Sequence, residues 1–190
     1  MSRALVIIDI QKDYFPGGRM ELVGSEAAAG RAHELLSAFR DSGEPVIHIQ
    51  HIWDSDDAPF FAPDTDGVQI HPMLLPQDDE RHIVKHHANA FLETPLADEL
   101  RVIGASDVVI CGMMTSMCVD ASARASADLG FNTSIAADAC AAPNLPSGGD
   151  MIPGDTVHKA FLAALGSMVA DVRPTGELLG VRSGGAGPAA

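Results

Sequence analysis

The feature that most constrains the fold is an alternation of short Val- and Ile-rich runs with longer segments of helical character. The apolar runs are nearly continuous, which is typical of strands that are buried on both faces. Strands and helices that alternate in this way predict a three-layer αβα protein with a mainly parallel, six-stranded, Rossmann-like sheet. The predicted strands cover 4–10, 45–52, 81–87, 107–114, 132–140 and a short run near 168–173.

The helical segments lie between these strands and carry start and stop signals. The first begins at Ser25, which can cap a helix, and ends just before Gly43. The other helices are predicted over about 94–104, 116–130 and 153–165. A chain of 190 residues fits one domain. We expect that domain over 1–175 and a flexible C-terminal tail over 176–190, because the end of the chain is rich in Gly, Ala and Pro.

The composition excludes several functional classes. The chain has 12 Lys and Arg against 26 Asp and Glu, a net charge of −14, which argues against a protein that binds nucleic-acid phosphates. No apolar run approaches the ~20 residues that a membrane span needs, so no membrane partner is expected. The three cysteines include no CxxC pair, which predicts free thiols in a reducing compartment. Without a signal-peptide pattern at the start, the predicted location is the cytoplasm.

Three reactive side chains fall where parallel strands end. Asp9 lies at the end of the first predicted strand, Lys85 at the end of the third, and Cys118 in the turn after the fourth. In open parallel sheets, ligands bind outside the carboxyl ends of the strands. The sequence therefore predicts that these residues form one site.

The three residue types suit nucleophilic chemistry on a carbonyl group. A cysteine in the first turn of a helix lies at the positive end of the helix dipole, so we expect its thiolate to be favoured. A lysine nearby favours the thiolate further, and a carboxylate can accept the thiol proton. Backbone N–H groups at a helix start have no intrahelical partner and can bind an oxyanion. This set predicts a cysteine acyl-transfer site that needs no histidine.

Three stretches of the chain also resemble a known family. They are LVIIDIQKDYFPGG at the first strand, IVKHHANAF at the third and VVICGMMTSMCVDASARASADLGF at the fourth. In this order and spacing they are similar to the cysteine hydrolases of the isochorismatase-like superfamily, which includes nicotinamidases and N-carbamoyl amide hydrolases. The resemblance covers residues 4–173. The subgroup that the chain most resembles also includes streptothricin hydrolases, which open a lactam in a cationic antibiotic.

The resemblance implies a role for each residue of the site. Asp9 is expected to be the general base and acid, Lys85 the orienting cation and Cys118 the nucleophile. The family pattern implies a cis peptide between Met113 and Met114, and an oxyanion hole made by the backbone N–H groups of Met114 and Cys118. The expected reaction is hydrolysis of a small-molecule amide or lactam C–N bond through a thioester, with a streptothricin-type lactam as one candidate substrate.

The metal site of nicotinamidases does not match this chain. Those enzymes resemble one another in an Asp-x-His sequence at the end of the second strand, where this chain has HIQHIW, with Gln50 and Ile52 at the ligand positions. We therefore expect no bound metal and no other cofactor, although His48, His51 and His71 remain possible ligands. The cysteine, which true isochorismatases lack, disfavours hydrolysis of a vinyl ether.

The long loop over about 53–80 and its surroundings offer substrate contacts. Loops of this length in a compact domain are usually functional or disordered. The candidate contacts are Phe15, His51, Trp53, Phe60 and Phe61. Contacts with a second subunit are the alternative, because the resemblance implies a homo-oligomer, a dimer or larger. Asp13 and Tyr14 could also line the pocket, although Asp13 could instead hold the loop.

Two other classes of protein are compared with the hydrolase interpretation. One is a non-catalytic binding or thiol redox-sensing protein on the same fold, which would oxidise Cys118 rather than acylate it. The complete set of Asp9, Lys85 and Cys118 speaks against it, because a sensor needs no orienting base. The other is a flavodoxin-type carrier, which is rejected because the loop IQKDYFPGG lacks a hydroxyl-rich phosphate-binding turn.

Overall fold

The sheet of this protein has six strands, all parallel, in a computed structural model that describes residues 2–55 and 57–180. Two further strands form a separate pair. In chain order all of these strands are β1 (Ser2–Ile8), β2 (Val46–His51), β3 (Arg81–Lys85), β4 (Ala105–Met113), β5 (Asn132–Ala141), β6 (Leu145–Ser147), β7 (Asp150–Ile152) and β8 (Asp171–Arg173). The order across the sheet is β3-β2-β1-β4-β5-β8. The predicted fold class is therefore confirmed. The pair β6–β7 forms a separate antiparallel hairpin that the sequence analysis did not predict.

Helices cover both faces of the sheet. They are α1 (Ser25–Asp41), α2 (Leu96–Val102), α3 (Asp120–Asp128), α4 (Gly154–Met168) and α5 (Thr175–Gly180). Successive side chains of a strand point to opposite faces, and β1 shows both. Leu5 and Ile7 pack with the apolar residues of α1 and α5, whereas Val6 and Ile8 pack with those of α2, α3 and α4. Burial on both faces explains why β1 reads as a continuous apolar run.

The fold extends past residue 175. Helix α5 ends at Gly180, and its Leu178 is buried in the apolar core that also contains the buried side chains of α1. The predicted boundary at 175 thus lies at the start of a helix, and residues 176–180 belong to the packed structure. The rest of the predicted tail, 181–190, lies outside the described residues. Among the described residues, no helix has the length and apolarity to cross a membrane.

Candidate active site

The structure brings Asp9, Lys85 and Cys118 together at the carboxyl edge of the sheet. Asp9 directly follows β1, Lys85 ends β3, and Cys118 lies in a single π-helical turn, Thr115–Val119, that leads from β4 into α3. The Lys85 ammonium is 2.7 Å from Asp9 Oδ2, and both side chains are fully buried. The Cys118 Sγ atom lies within 4.8 Å of a carboxylate oxygen of Asp9. The carbonyl oxygens of His87 and Ala88 accept from Lys85 Nζ at 2.9 and 3.3 Å, which fixes the ammonium in place.

A close approach of two strands brings the cysteine turn beside Asp9. Gly112, at the end of β4, has a φ of 138°, a value that favours glycine. A β-carbon at this position would overlap the carbonyl oxygen of Ile8 in β1. Glycine therefore lets β4 end against the last residue of β1, one residue before Asp9. Asp9 itself has a φ of 49°, which is uncommon for a residue other than glycine and is found at functional sites.

The turn that carries the thiol is fixed from the side by α4. The Met113–Met114 peptide bond is cis. Next to it, Thr115 Oγ1 lies 3.1 Å from the Ala141 carbonyl oxygen and 2.9 Å from His158 Nδ1. A hydroxyl has one hydrogen, which goes to the carbonyl, so His158 must donate from Nδ1. Sequence reasoning missed His158, because a histidine inside an amphipathic helix gives no signal of its contact across the fold.

The charges of the site differ from the expected thiolate. Burial raises the pKa of Asp9, an effect that the positive charge of Lys85 opposes. Burial lowers the pKa of Lys85, but the negative charge of Asp9 outweighs it, so that pKa is raised. Burial and the charge of Asp9 raise the pKa of Cys118 well above its usual value, against the effect of Lys85. The resting site therefore holds a neutral thiol next to an ion pair, and the expectation that the helix start would favour the thiolate is wrong.

His51 is a fourth polar group at this site. Its Nδ1 atom is 3.9 Å from Asp9 Oδ2 and 3.9 Å from Cys118 Sγ. Burial and the positive charge of Lys85 lower its pKa to about 3, so the ring is neutral at neutral pH. The side chain of Gln11 holds its backbone: Nε2 donates to the His51 carbonyl at 2.9 Å, and Oε1 accepts from the His51 N–H at 2.8 Å.

Among the described residues, one group has the geometry to hold a metal ion. It consists of Asp9, His51 and Cys118, whose ligand atoms lie within 4.8 Å of one another. Carboxylate oxygen, imidazole nitrogen and thiolate sulfur atoms can all ligate zinc. The Lys85 ammonium, 2.7 Å from Asp9 Oδ2, already neutralises that carboxylate and would repel a cation. The donor set therefore suits proton transfer better than metal binding.

The other two candidate histidines lie elsewhere and do not converge with His51. His48 Nε2 is 2.9 Å from Glu80 Oε2. His71 Nδ1 accepts from the Met73 N–H at 3.4 Å, at the start of a short 3₁₀ turn. The three histidines that the sequence left open as ligands thus serve three separate parts of the fold.

A cavity of about 480 Å³ opens onto the Cys118 thiol. Its size is that of a small-molecule site. Its walls are mainly apolar and aromatic, and none of the lining residues in the described part of the chain is Asp, Glu, Lys or Arg. The described residues that line it are Tyr14, Met20, His51, Trp53, Phe60, His86, His87, Ala88, Met114, Met117, Cys118, Pro143, Asn144, Leu145 and Pro146.

The predicted substrate contacts divide between this cavity and other places. His51, Trp53 and Phe60 line it. Phe61 is fully buried behind the wall, with its ring centroid 5.0 Å from that of Phe60. Phe15 is not at the cavity: it stacks on His71 at 4.1 Å in a separate cleft. Adjacent residues of the short turn after β1 point in different directions, so the assignment of Phe15 as a substrate contact needs correction.

Asp13 holds the long loop rather than lining the cavity. Its Oδ2 accepts from the Phe61 N–H at 2.7 Å, and its Oδ1 accepts from the Arg19 N–H at 3.2 Å. Gly67 packs so closely on this carboxylate that a β-carbon would overlap it. Asp13 therefore fixes the backbone that carries the aromatic residues of the cavity wall.

Sequence reasoning missed one wall of the cavity, residues 143–146. This segment follows β5, and its last two residues begin the hairpin formed by β6 and β7. The carboxyl end of β5 lies at the same edge of the sheet as those of β1 and β4, because these strands are parallel. The rule that placed Asp9, Lys85 and Cys118 would therefore have placed this segment too.

The fold and the buried Asp–Lys–Cys set define a class, that of parallel α/β proteins with a cysteine at the carboxyl edge of the sheet. Comparison with known proteins identifies the family: residues 3–176 match the isochorismatase domain, and the chain belongs to the isochorismatase-like cysteine hydrolases. This confirms the family resemblance that the sequence motifs indicated.

Individual relatives agree with this assignment. An uncharacterised isochorismatase family protein, YddQ of Bacillus subtilis, is 45% identical over 175 residues, which cover 92% of this chain and 97% of that protein. A streptothricin hydrolase of Streptomyces noursei is 29% identical over 88% of this chain and 66% of its own length. The crystal structure of an isochorismatase-family protein from Oleispira antarctica matches with a TM-score of 0.90 and 42% identity, covering 94% of this chain and 96% of that one.

Proposed function

We propose that this hydrolase cleaves the C–N bond of a small-molecule amide or lactam through a thioester on Cys118. The observation that carries the proposal is the fully buried pair of Asp9 and Lys85, 2.7 Å apart, next to a thiol that opens onto an apolar cavity. A buried carboxylate beside a neutral thiol is suited to take up one proton and to return it during a reaction.

The acylation half of the reaction follows from the positions of these groups. Asp9 accepts the thiol proton while Cys118 Sγ attacks the carbonyl carbon of the amide. The backbone N–H groups of Met114 and Cys118 are the proposed donors to the oxyanion. Asp9 then gives its proton to the leaving nitrogen, the C–N bond breaks, and the amine departs. The raised pKa of Asp9 helps the carboxyl group to keep that proton until the nitrogen takes it.

Deacylation uses the same carboxylate. A water molecule attacks the thioester carbon and loses a proton to Asp9, the C–S bond breaks, and the proton returns to the sulfur as the carboxylic acid leaves. Lys85 acts throughout as a fixed positive charge: its contacts with two backbone carbonyls keep the ammonium against the carboxylate. The cycle ends with the neutral thiol from which it began.

The high pKa of Cys118 also bears on the redox-sensing alternative. Sensor cysteines are exposed and have a low pKa, because the thiolate is the species that peroxide oxidises. Cys118 is 2% exposed, and burial raises its pKa. These features favour a nucleophile that ionises only when the substrate is bound.

The proposal is tested with a panel of neutral amides, lactams and a streptothricin, the last because a streptothricin hydrolase is among the relatives. We expect release of ammonia or amine, or opening of the lactam ring, and a transient mass increase on Cys118 equal to that of the acyl group. Cys118→Ala should abolish turnover and keep the wild-type melting temperature to within a few degrees. Cys111→Ala, which removes another buried thiol of the chain, is the matched control and should retain activity. Turnover by the Cys118→Ala protein would contradict the mechanism.

A further inference from the structure

The hydroxyl group of Tyr14, at the cavity, has no role in the proposed reaction. The side chain of Tyr14 lines the cavity that opens onto Cys118, and it is fully buried. Its hydroxyl group has no hydrogen-bond partner among the described residues. Buried hydroxyls are nearly always paired in native proteins, because an unpaired one loses its hydrogen bonds to water without replacement. An unpaired hydroxyl beside a substrate cavity therefore indicates a partner that the ligand supplies.

The hydroxyl is held in one position. The ring of Tyr14 packs against those of Phe60 and Phe61, with centroids 5.8 and 4.6 Å away. Phe61 is itself fixed by the hydrogen bond from its N–H to the Asp13 carboxylate. A phenol on a ring packed in this way is ready to form a hydrogen bond without a further loss of side-chain entropy.

The hydroxyl keeps its proton at neutral pH and can donate a hydrogen bond. Burial, together with the negative charges of Asp9 and Asp13, raises the pKa of Tyr14 well above its usual value. The ring of His51, which also lines the cavity, is neutral, and its Nε2 atom is buried with no partner among the described residues. The polar groups near the nucleophile thus add no charge to the cavity wall.

The described part of the cavity wall offers no counter-charge for a charged acyl group. None of the described residues that line it is acidic, or is a lysine or arginine, although the whole chain has a net charge of −14. Asp9 and Lys85 lie behind the thiol and neutralise each other at 2.7 Å. The two other lining histidines, His86 and His87, are at the exposed rim and face Asp54 and Glu93. A buried charge without a partner is strongly unfavourable.

From these observations we infer that Tyr14 is a specificity-determining residue, and that the substrate is an uncharged amide whose apolar acyl group carries a hydrogen-bond acceptor for the Tyr14 hydroxyl. The inference rests on the proposed function in taking an amide as the substrate. The inference disfavours strongly cationic amides and lactams as substrates, although the net acidic charge of the chain, taken alone, would favour them.

Amides of one shape and different polarity test this inference. The probes are cyclohexanecarboxamide, the 3- and 4-tetrahydropyrancarboxamides, in which an ether oxygen replaces one CH₂, piperidine-4-carboxamide, which is a cation, and the monoamide of cyclohexane-1,4-dicarboxylic acid, which is an anion. Dissociation constants are measured by ligand-observed NMR on the Cys118→Ala protein, so that binding is followed without turnover. We expect at least one tetrahydropyran amide to bind about 10-fold more tightly than cyclohexanecarboxamide, as a hydrogen bond to a buried donor predicts. Both charged amides should bind more weakly than cyclohexanecarboxamide.

Tyr14→Phe in the same background separates a hydrogen bond from packing. The preference for the ether over the hydrocarbon should fall to about 1, because phenylalanine keeps the ring and removes the donor. The melting temperature should stay the same or rise, because an unpaired buried hydroxyl is removed. Phe15→Leu alters the adjacent aromatic residue, which stacks on His71 outside the cavity, and should keep the preference. Tighter binding of a charged amide, or an ether preference that survives Tyr14→Phe, would overturn the inference.

The two proposals fail in different ways. If the preference is present in the Cys118→Ala protein but the wild-type protein releases no ammonia from any amide, the assignment of the cavity stands and the hydrolysis mechanism is wrong. If the wild-type protein hydrolyses the charged amides faster than the neutral ones, the hydrolysis mechanism stands and the assignment of the cavity is wrong.

Discussion

Two carboxylates at different places in this fold have opposite properties. Glu80 accepts four hydrogen bonds: two from the guanidinium of Arg40 at 2.7 and 2.8 Å, and one each from the Gln77 N–H and His48 Nε2, both at 2.9 Å. Asp9 is more deeply buried: neither of its carboxylate oxygens has a hydrogen-bond partner among the described residues, and the Lys85 ammonium lies 2.7 Å from Oδ2 as an ion pair.

The pKa of each group reflects this difference. Burial alone would raise the pKa of Glu80, but the hydrogen bonds from Arg40, Gln77 and His48 lower it to about 2. The pKa of Asp9 is raised, because burial exceeds the effect of Lys85. A carboxylate that is surrounded by donors stays ionised and stabilises the fold, whereas one with few donors can exchange a proton. In this fold the catalytic candidate combines complete burial with few donors, whereas the structural acid is partly exposed and surrounded by donors.

The largest expected effect follows from Asp9→Asn, which leaves a side chain of the same shape that cannot act as a general acid or base. We expect kcat/KM to fall by about 10³-fold or more, because general acid and base catalysis are both lost. The thiol should respond in the opposite direction. Since the charge of Asp9 raises the pKa of Cys118, its removal should lower that pKa and make alkylation by iodoacetamide at neutral pH faster than in the wild-type protein.

Peptide mass spectrometry reads the alkylation of each cysteine separately against pH. Cys111 and Cys140 are buried and provide internal controls, whose rates should not change. A more reactive Cys118 in an inactive enzyme would show that Asp9 is needed for proton transfer and not for creating a thiolate. Slower alkylation of Cys118 in the variant would refute the contrast between the two carboxylates.

Glu80→Gln tests the other side of the comparison. The variant keeps the shape and loses the charge that faces Arg40 and His48. We expect a loss of about 1 kcal/mol in the free energy of unfolding at pH 7, because the site is partly exposed and solvent screens the pair. Catalysis by the folded protein should not change, because Glu80 does not line the cavity at Cys118. Urea denaturation and kcat/KM, measured on the same samples, check the two statements.

The pH dependence of this loss has a defined sign. Because the pKa of Glu80 is lowered from 4.5 to about 2, its charge stabilises the fold fully above pH ~4.5, and that stabilisation disappears as the pH falls through about 2. The difference between the wild-type protein and Glu80→Gln should therefore be largest at neutral pH and shrink between pH ~4.5 and ~2. A difference that stays constant over this range would mean that the charge of Glu80 contributes nothing to the stability.

The two carboxylates also show how far the sequence alone can lead. Asp9 is predictable, since it ends an apolar strand, matches a family motif and must meet Lys85 and Cys118 at one edge of a parallel sheet. Glu80 is not, because its partner Arg40 is 40 residues away in α1 and no local pattern links them. The direction of the Cys118 pKa shift was missed for a similar reason. The position of Cys118 at a helix start can be predicted from the sequence. Its burial and its closeness to the charge of Asp9 depend on the folded structure.

Asp138 offers a similarly small effect and the closest match in position to Asp9. It lies near the carboxyl end of β5, at the same edge of the sheet, but its Oδ1 accepts from both the N–H and the hydroxyl of Thr175, at 2.7 Å each. These contacts satisfy the start of α5, as a capping side chain does. Asp138→Ala should therefore lower the free energy of unfolding by about 1 kcal/mol and leave kcat/KM unchanged. Thermal unfolding and steady-state kinetics are the measurements. A loss of activity comparable to that of Asp9→Asn would show that position at the strand end, rather than the number of hydrogen-bond donors, decides which carboxylate of this fold is catalytic.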